Sequence, residues 1–207
     1  MTYKEELKMK KETVYKVFSQ MPTLKTERLS LRPMHIIDAE DMYDYARRDE
    51  VTQYLLWSSH PSISYTKDYL RYIQNRYALG DFYDWAIIDR ESRRMIGTCG
   101  FTRIDTANNS AEIGYVLNSD FRGRGLAPEA ARRLLEFGFG ELGLNRIEAR
   151  FMQGNEASRR VMEKIGMTFE GYHRDLVYAK GSYRTVGVCA IIRAEWEQKR
   201  QPCENIE

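Results

Sequence analysis

Cysteine is scarce: Cys99, Cys189 and Cys203 are the three in 207 residues, far apart and without Cys-x-x-Cys spacing. An odd, scattered set argues against a disulfide framework and against a thiolate zinc site. His35, His60 and His173 have no metal-ligand spacing either, so no metal is expected. Long apolar runs are missing, and nothing approaches the roughly 20 residues of a spanning helix. The opening MTYKEELKMKKETVYK lacks the apolar centre of a signal peptide. No membrane partner is expected, and the expected compartment is the cytoplasm. Charge of one sign is also lacking, because 32 Lys plus Arg against 30 Asp plus Glu leaves +2. So small a surplus does not predict a direct nucleic-acid binder. Neither G-x-x-x-x-G-K-[ST] nor G-x-G-x-x-G occurs, which excludes a nucleotide P-loop and a dinucleotide fingerprint.

What is present suffices for one sizeable domain: 43% hydrophobic residues, 12% of all residues aromatic. Eight of the residues from Lys4 to Lys16 are Lys or Glu, with Leu7, Val14 and Phe18 at helical spacing and Pro22 closing the segment. Residues 1–21 therefore read as a weakly amphipathic helical extension attached to the domain rather than part of its core; a homodimer contact is the sharper use of it. Residues 22–200 read as the domain and 201–207 as a tail.

Within the domain, Arg28–Arg32 alternates as a strand and His35–Arg48 has a helical pattern with acidic residues early. A second helix is predicted from Tyr65 to Leu79, ended by Gly80. Asp84–Asp89, Met95–Ile104 and Ala111–Leu117 form an antiparallel meander, with Asn108-Asn109 as its hairpin signal. A helix follows FRGRGLAPEA, then a strand at Arg146–Phe151 and a helix from Asn155 to Ile165 with Asn155 as N-cap and Gly166 beyond its end. Two strands flank Lys180-Gly181. The order implies an α+β fold with a mixed, mostly antiparallel central sheet and flanking helices.

Arg122-Gly123-Arg124-Gly125-Leu126-Ala127 lies between a strand and a long helix. Glycines let backbone N–H groups approach a ligand, the helix N-terminus adds partial positive charge, and two arginines add whole charges; the set suits a pyrophosphate. A glycine turn of this kind is also an ordinary structural connection.

The Arg-x-x-Gly-x-Ala of Arg122–Ala127, opening a helix after AEIGYVL, resembles the acetyl-coenzyme A pyrophosphate loop of the GNAT superfamily of N-acetyltransferases. RIEARFMQGNEASRRVMEKIGMTFEG (Arg146–Gly171), KGSYRTVGVCAIIRAEW (Lys180–Trp196) and LKTERLSLRP (Leu24–Pro33) are similar to the subgroup that acetylates N-terminal residues of ribosomal proteins. The likeness spans residues 22–196 with every segment in family order. It implies acetyl-CoA as acetyl donor. The coenzyme is then held by the backbone of Arg122, Gly123, Arg124, Gly125, Leu126 and Ala127, by the strand edge at Tyr115, Val116 and Leu117, and by Asn155. It also implies that the strands of Ile113–Val116 and Ile147–Phe151 splay apart; Gly114 fits a close approach by another backbone, or a simple twist point.

Ser158, one turn beyond Asn155, is by resemblance near the thiol and a candidate acid for the leaving thiolate. Many superfamily members place a tyrosine further along this helix, where Met162 stands here; Tyr172 and Tyr178 are alternatives. Alternation puts Glu112, Gly114 and Val116 on one strand face. Glu112 there is the candidate base, or else a carboxylate paired with Arg103 or another cation. Val177 aligns where the subgroup can carry an acid, with His173 and Asp175 nearby, and Thr185 stands where another is common. Tyr54 and Trp57, with His60, fall where the family builds its acceptor site. Cys99 reads as core.

An α-amine with a pKa near 8 is roughly a quarter neutral at about pH 7.5, whereas a lysine near 10.4 is about a thousandth neutral. A water-linked carboxylate suffices for the first, while the second asks about 3 kcal/mol more of the site. The expected activity is acetyl transfer to a primary amine by direct attack on the thioester, with the N-terminus of a ribosomal protein as leading acceptor. A small amine (polyamine, amino acid or antibiotic) is the alternative. A coenzyme-binding sensor without turnover, and an RNA-associated module using the basic loop, are the readings from other classes.

Overall fold

A computed structural model describes residues 9–200; Leu7, Cys203 and the 201–207 tail lie outside the described residues. Eight strands form one open sheet in the order β1-β2-β3-β4-β5-β6-β8-β7. They are β1 (Leu24–Lys25), β2 (Leu29–Arg32), β3 (Asp84–Asp89), β4 (Met95–Asp105), β5 (Ser110–Leu117), β6 (Arg146–Met152), β7 (Thr168–Ala179) and β8 (Ser182–Ile192). Among the described strands every pairing is antiparallel except β5 with β6.

Strand alternation sends each side chain to one of two cores. Trp85 and Ile87 pack with β4, β5 and α5 (Leu126–Gly140), whereas Ala86 faces α2 (Ala39–Ala46) and α4 (Ile63–Ala78). Helix α5 offers Ala130, Leu134 and Phe137 along one side, and α4 offers Leu70, Ile73 and Tyr77, each at helical spacing. The remaining helices are α1 (Lys11–Phe18), α3 (Asp49–Thr52), α6 (Glu156–Lys164) and α7 (Arg193–Arg200).

The expected meander is present, and Asn109 at φ 52° makes its turn, with Asp105 Oδ1 accepting from the amides of Ala107 and Asn108. The closing hairpin turns at Lys180-Gly181, both at positive φ. Two expectations need correction. The predicted helix over 35–48 is a 3-10 turn at Ile36–Asp38 followed by α2, because Asp38 is committed to the turn: it accepts from the His35 amide (2.8 Å) and from both Arg32 Nη atoms (2.8 and 2.6 Å). Helix α1 is also not merely appended. Phe18 is fully buried against Tyr83, Trp85, Phe101 and Phe137, and Val14 and Met9 join the same core. Its apolar side is used by the chain's own interior. Helices α3 and α7 were not foreseen.

Candidate functional site

Strands β5 and β6 pair in register from Ser110↔Arg146 to Ile113↔Ala149, and no pairing follows. Beyond that point β5 keeps only β4, with Gly100↔Gly114 and Thr98↔Val116, so the edge of Gly114–Leu117 toward β6 is open. The expected splay is present. Its cleft has a volume of about 580 Å³ and runs from Asn155 and Ser158 past Glu112 and Val116 to an aromatic end at Tyr45, Trp57 and Tyr69.

Strand β5 leads into the glycine turn through Asn118, whose buried side chain accepts from the Asp120 amide and donates to Asp44. Arg48 clamps this segment to α2, donating to Ser119 Oγ (2.8 Å), to both Asp120 carboxylate oxygens (2.7 and 2.9 Å) and to Asp44 (3.0 Å). Its guanidinium holds the carboxyls of Asp44 and Asp120 below their ordinary range. Gly123 (φ 78°) and Gly125 (φ 75°) are left-handed, and Gly125 is the N-cap of α5. Among the described residues, no acceptor of the chain takes the amides of Gly123, Arg124, Gly125, Leu126 or Ala127. A Cβ at Gly123 would meet nothing within 4 Å. Glu129 braces it from below, accepting from Thr26, from the Arg28 amide (3.0 Å) and from Arg28 Nε (2.7 Å). Free amides, a helix N-terminus and two arginines fit a pyrophosphate.

Asn155 caps α6 through Oδ1, which accepts from the Ser158 amide (3.1 Å). Ser158 Oγ lies 3.0 Å from Tyr115 Oη, which also donates to the Ser158 carbonyl (2.9 Å). Sequence reading had given Tyr115 only a backbone role; its hydroxyl reaches the first turn of α6 from the strand side. Burial pushes that phenol upward. Met162 is buried, and Tyr172 and Tyr178 are exposed off the cleft lining, as is His173; Val177 does line it.

Glu112 lies on the cleft face and is mostly covered. Its Oε2 pairs with Arg150 Nε at 3.2 Å, Arg150 also holds Glu148 (3.0 Å), and Arg103 pairs with Glu148 rather than with Glu112. Tyr54 Oη donates to the Gly154 carbonyl (3.1 Å), joining its loop to the β6–α6 turn. Trp57 packs on His60 (5.3 Å between rings), and His60 is a buried packing group whose Nδ1 is 2.8 Å from Thr66 Oγ1; burial lowers its pKa. Cys99 is buried in the core, as expected. No group of three or more His, Cys, Asp or Glu among the described residues could hold a metal, and no described helix is long and apolar enough to cross a membrane.

Tyr45, Tyr69, Asp84 and Arg150 line the cleft too, and sequence reading gave none of them a site role. Asp84, at the start of β3, sits half-buried in the cleft's aromatic end, and burial pushes its carboxyl up to about 7, against the pull of Thr98 and the Trp85 amide.

A sheet that parts beside a glycine turn with free amides, over a cleft with an aromatic end, defines a coenzyme-dependent group-transfer protein. Residues 28–168 match the acetyltransferase (GNAT) domain, and the chain belongs to the GNAT acetyltransferase family. It is 37% identical over 176 residues to the uncharacterized N-acetyltransferase p20 of Bacillus licheniformis, covering 85% of this chain and 99% of that one. Among solved structures, the GNAT-family acetyltransferase from Bacillus anthracis superposes with a TM-score of 0.74 at 28% identity, over 84% of this chain and 99% of that one. RimL, a ribosomal L7/L12 alpha-N-protein acetyltransferase in complex with coenzyme A, superposes with a TM-score of 0.71 at 22% identity, over 83% and 98%. The chain is accordingly an acyltransferase that uses acetyl-CoA.

Proposed function

We propose that the acceptor is a primary amine and that its leading candidate is a protein N-terminus, a ribosomal protein first, in the cytoplasm. The observation that carries the transfer reading is the coincidence of the β5–β6 parting with free amides at Gly123–Ala127, in the turn that follows β5. Those amides, with Arg122 and Arg124, would hold the pyrophosphate. The open edge of Tyr115, Val116 and Leu117 and the free amide group of Asn155 would hold the pantetheine arm. Acetyl-CoA supplies an already activated thioester, so the chain's residues have to orient it and move protons.

In this reading Glu112 takes the amine's proton through water while Arg150 keeps it oriented. Ser158, hydrogen-bonded to Tyr115, gives a proton to the departing thiolate. Tyr54 and Trp57 wall the acceptor. The likeness to RimL supports a protein N-terminus, while the aromatic end containing Asp84 favours a second reading, a small cationic amine. Incubation with acetyl-labelled acetyl-CoA and an extract containing ribosomes and metabolites separates them. Label at the N-termini of a few basic proteins is expected for the first; label confined to small molecules would sink it and leave the second. No enzyme-dependent label in either fraction, with coenzyme A still bound, would favour a sensor.

A further inference from the structure

Resting on the acetyltransferase reading, we propose that Asp84 anchors a second positive charge on the acceptor, about two strand spacings (roughly 10 Å) from the nitrogen that is acetylated. The reacting nitrogen has to meet the thioester where β5 and β6 part, just beyond Ile113↔Ala149 and thus beside Gly114. Asp84, Gly100 and Gly114 stand in one row across three strands, as Cα partners Asp84↔Gly100 and Gly100↔Gly114. With glycine at both other positions, the row itself adds no side chain between the carboxylate and the parting, which leaves a trough that Thr102 Cγ2 narrows at Gly114, where an added Cβ would meet it at 2.8 Å. A Cβ at Gly100 would lie 2.6 Å from Asp84 Oδ1 and would also strike the backbone of Asp84 and Tyr83, so that position excludes any side chain.

Two polar atoms at the far end of the trough have no partner among the described residues: Asp84 Oδ1 and Tyr45 Oη, both buried, both from residues lining the cleft. Such orphans are costly unless a ligand satisfies them. An ammonium that reached both would, because it carries three donors, and both a carboxylate oxygen and a phenol oxygen accept. The titratable groups close enough to interact with Asp84 are Tyr45 on α2, Tyr69 and Tyr77 on α4, and Cys99 on β4. All are neutral at neutral pH, so the carboxylate has no counter-charge of its own. Glu112 differs, being already paired with Arg150. Tyr45 and Tyr69 also line this end of the cleft.

The shared chemistry is an acceptor with two cationic ends. It is met by a linear diamine, or by an N-terminus followed by a basic side chain; a simple monoamine lacks it. The test measures thiol release from acetyl-CoA with α,ω-diamines from propane- to decanediamine against monoamines of matching length, and with alanine-initiated tripeptides containing lysine against norleucine. In the wild-type chain the dicationic member of one pair should be preferred by about tenfold in kcat/KM, mostly through KM. In Asp84→Asn that ratio should fall to near one, and in Tyr45→Phe it should shrink. The arm that shows the preference identifies the source. Equal rates for charged and neutral partners in the wild type, or a preference that survives in Asp84→Asn, would overturn the proposal while leaving the acetyltransferase reading intact. If no acceptor is turned over, calorimetric titration with octanediamine and the lysine tripeptide decides. Binding lost in Asp84→Asn would uphold the anchor and fault the transfer reading; no Asp84-dependent binding would overturn the anchor.

Discussion

Asp84 is where one side chain has consequences for both stability and acceptor choice. Its carboxyl, pushed up to about 7 in the folded chain, ionises near 3.9 when unfolded. The folded state therefore keeps a proton that the unfolded state has released, and stability falls as pH rises from about 4 to about 7, then levels off. The full shift corresponds to at most about 4 kcal/mol. Asp84→Asn cannot ionise, so urea unfolding should find it about 2–4 kcal/mol more stable than wild type at about pH 8 and nearly equal near pH 4. A difference independent of pH would mean that the carboxyl is not held high. The Tyr115–Ser158 pair makes a separate case. If Ser158 Oγ passes a proton to the leaving thiolate, Ser158→Ala should lower kcat about 10²-fold with little change in coenzyme A affinity, and Tyr115→Phe should lower it less. Equal loss of binding and turnover would instead make Ser158 a part of the coenzyme site.

At the scale of elements, α1 and the glycine turn show what a sequence pattern carries and what it leaves out. Phe18→Ala should cost about 3–5 kcal/mol in an unfolding titration, because the ring fills a space among four aromatic side chains. A cost below about 1 kcal/mol would restore the picture of an appended helix. Lysine and glutamate dominate α1, so its stripe looked too thin to matter; the cavity waiting between β3, β4 and α5 is a tertiary fact that no local period reports. Local signals did reveal the turns and caps, since Asn155, Gly166 and Lys180-Gly181 act within a few residues of themselves. The coenzyme loop was legible for the same reason. Gly125→Ala tests it: the nearest atom to the added Cβ would be Arg28 Nη2 at 3.6 Å, so space is ample and the strain lies in φ 75°. A loss of about 1–2 kcal/mol in stability is expected, with weaker coenzyme A binding by equilibrium titration. Asp84 stayed hidden because alternation along β3 gives two faces without saying which one meets a cleft. Glu112 was read on the correct face, and of the partners left open for it, Arg103 or another cation, it is Arg150 on β6 that pairs with it.

At the scale of the whole molecule, the sheet is two antiparallel halves joined by one short parallel seam. Four register pairs hold β5 to β6, with Glu112 and Arg150 paired beside them, and above them side chains make the connection, among them Tyr115 to Ser158, Tyr54 to the Gly154 carbonyl, and Lys180 Nζ to the Thr52 carbonyl at 2.6 Å. A parting of this kind leaves backbone donors and acceptors unpaired at the centre of the fold, a cost that a bound ligand can offset. Coenzyme A, lying along the open edge and capped by the amides of the glycine turn, would supply the missing partners to both halves at once. At a hundredfold excess over its Kd it should stabilise the fold by about 2.7 kcal/mol. Hydrogen exchange should slow in two stretches together, Gly114–Leu117 and Gly123–Ala127, while the α1 amides follow only the global gain. The alternative binding mode, a ligand held by the loop arginines alone, predicts protection at the turn without protection on β5. That outcome would leave the splay without its proposed ligand and would send the search for the pantetheine site elsewhere.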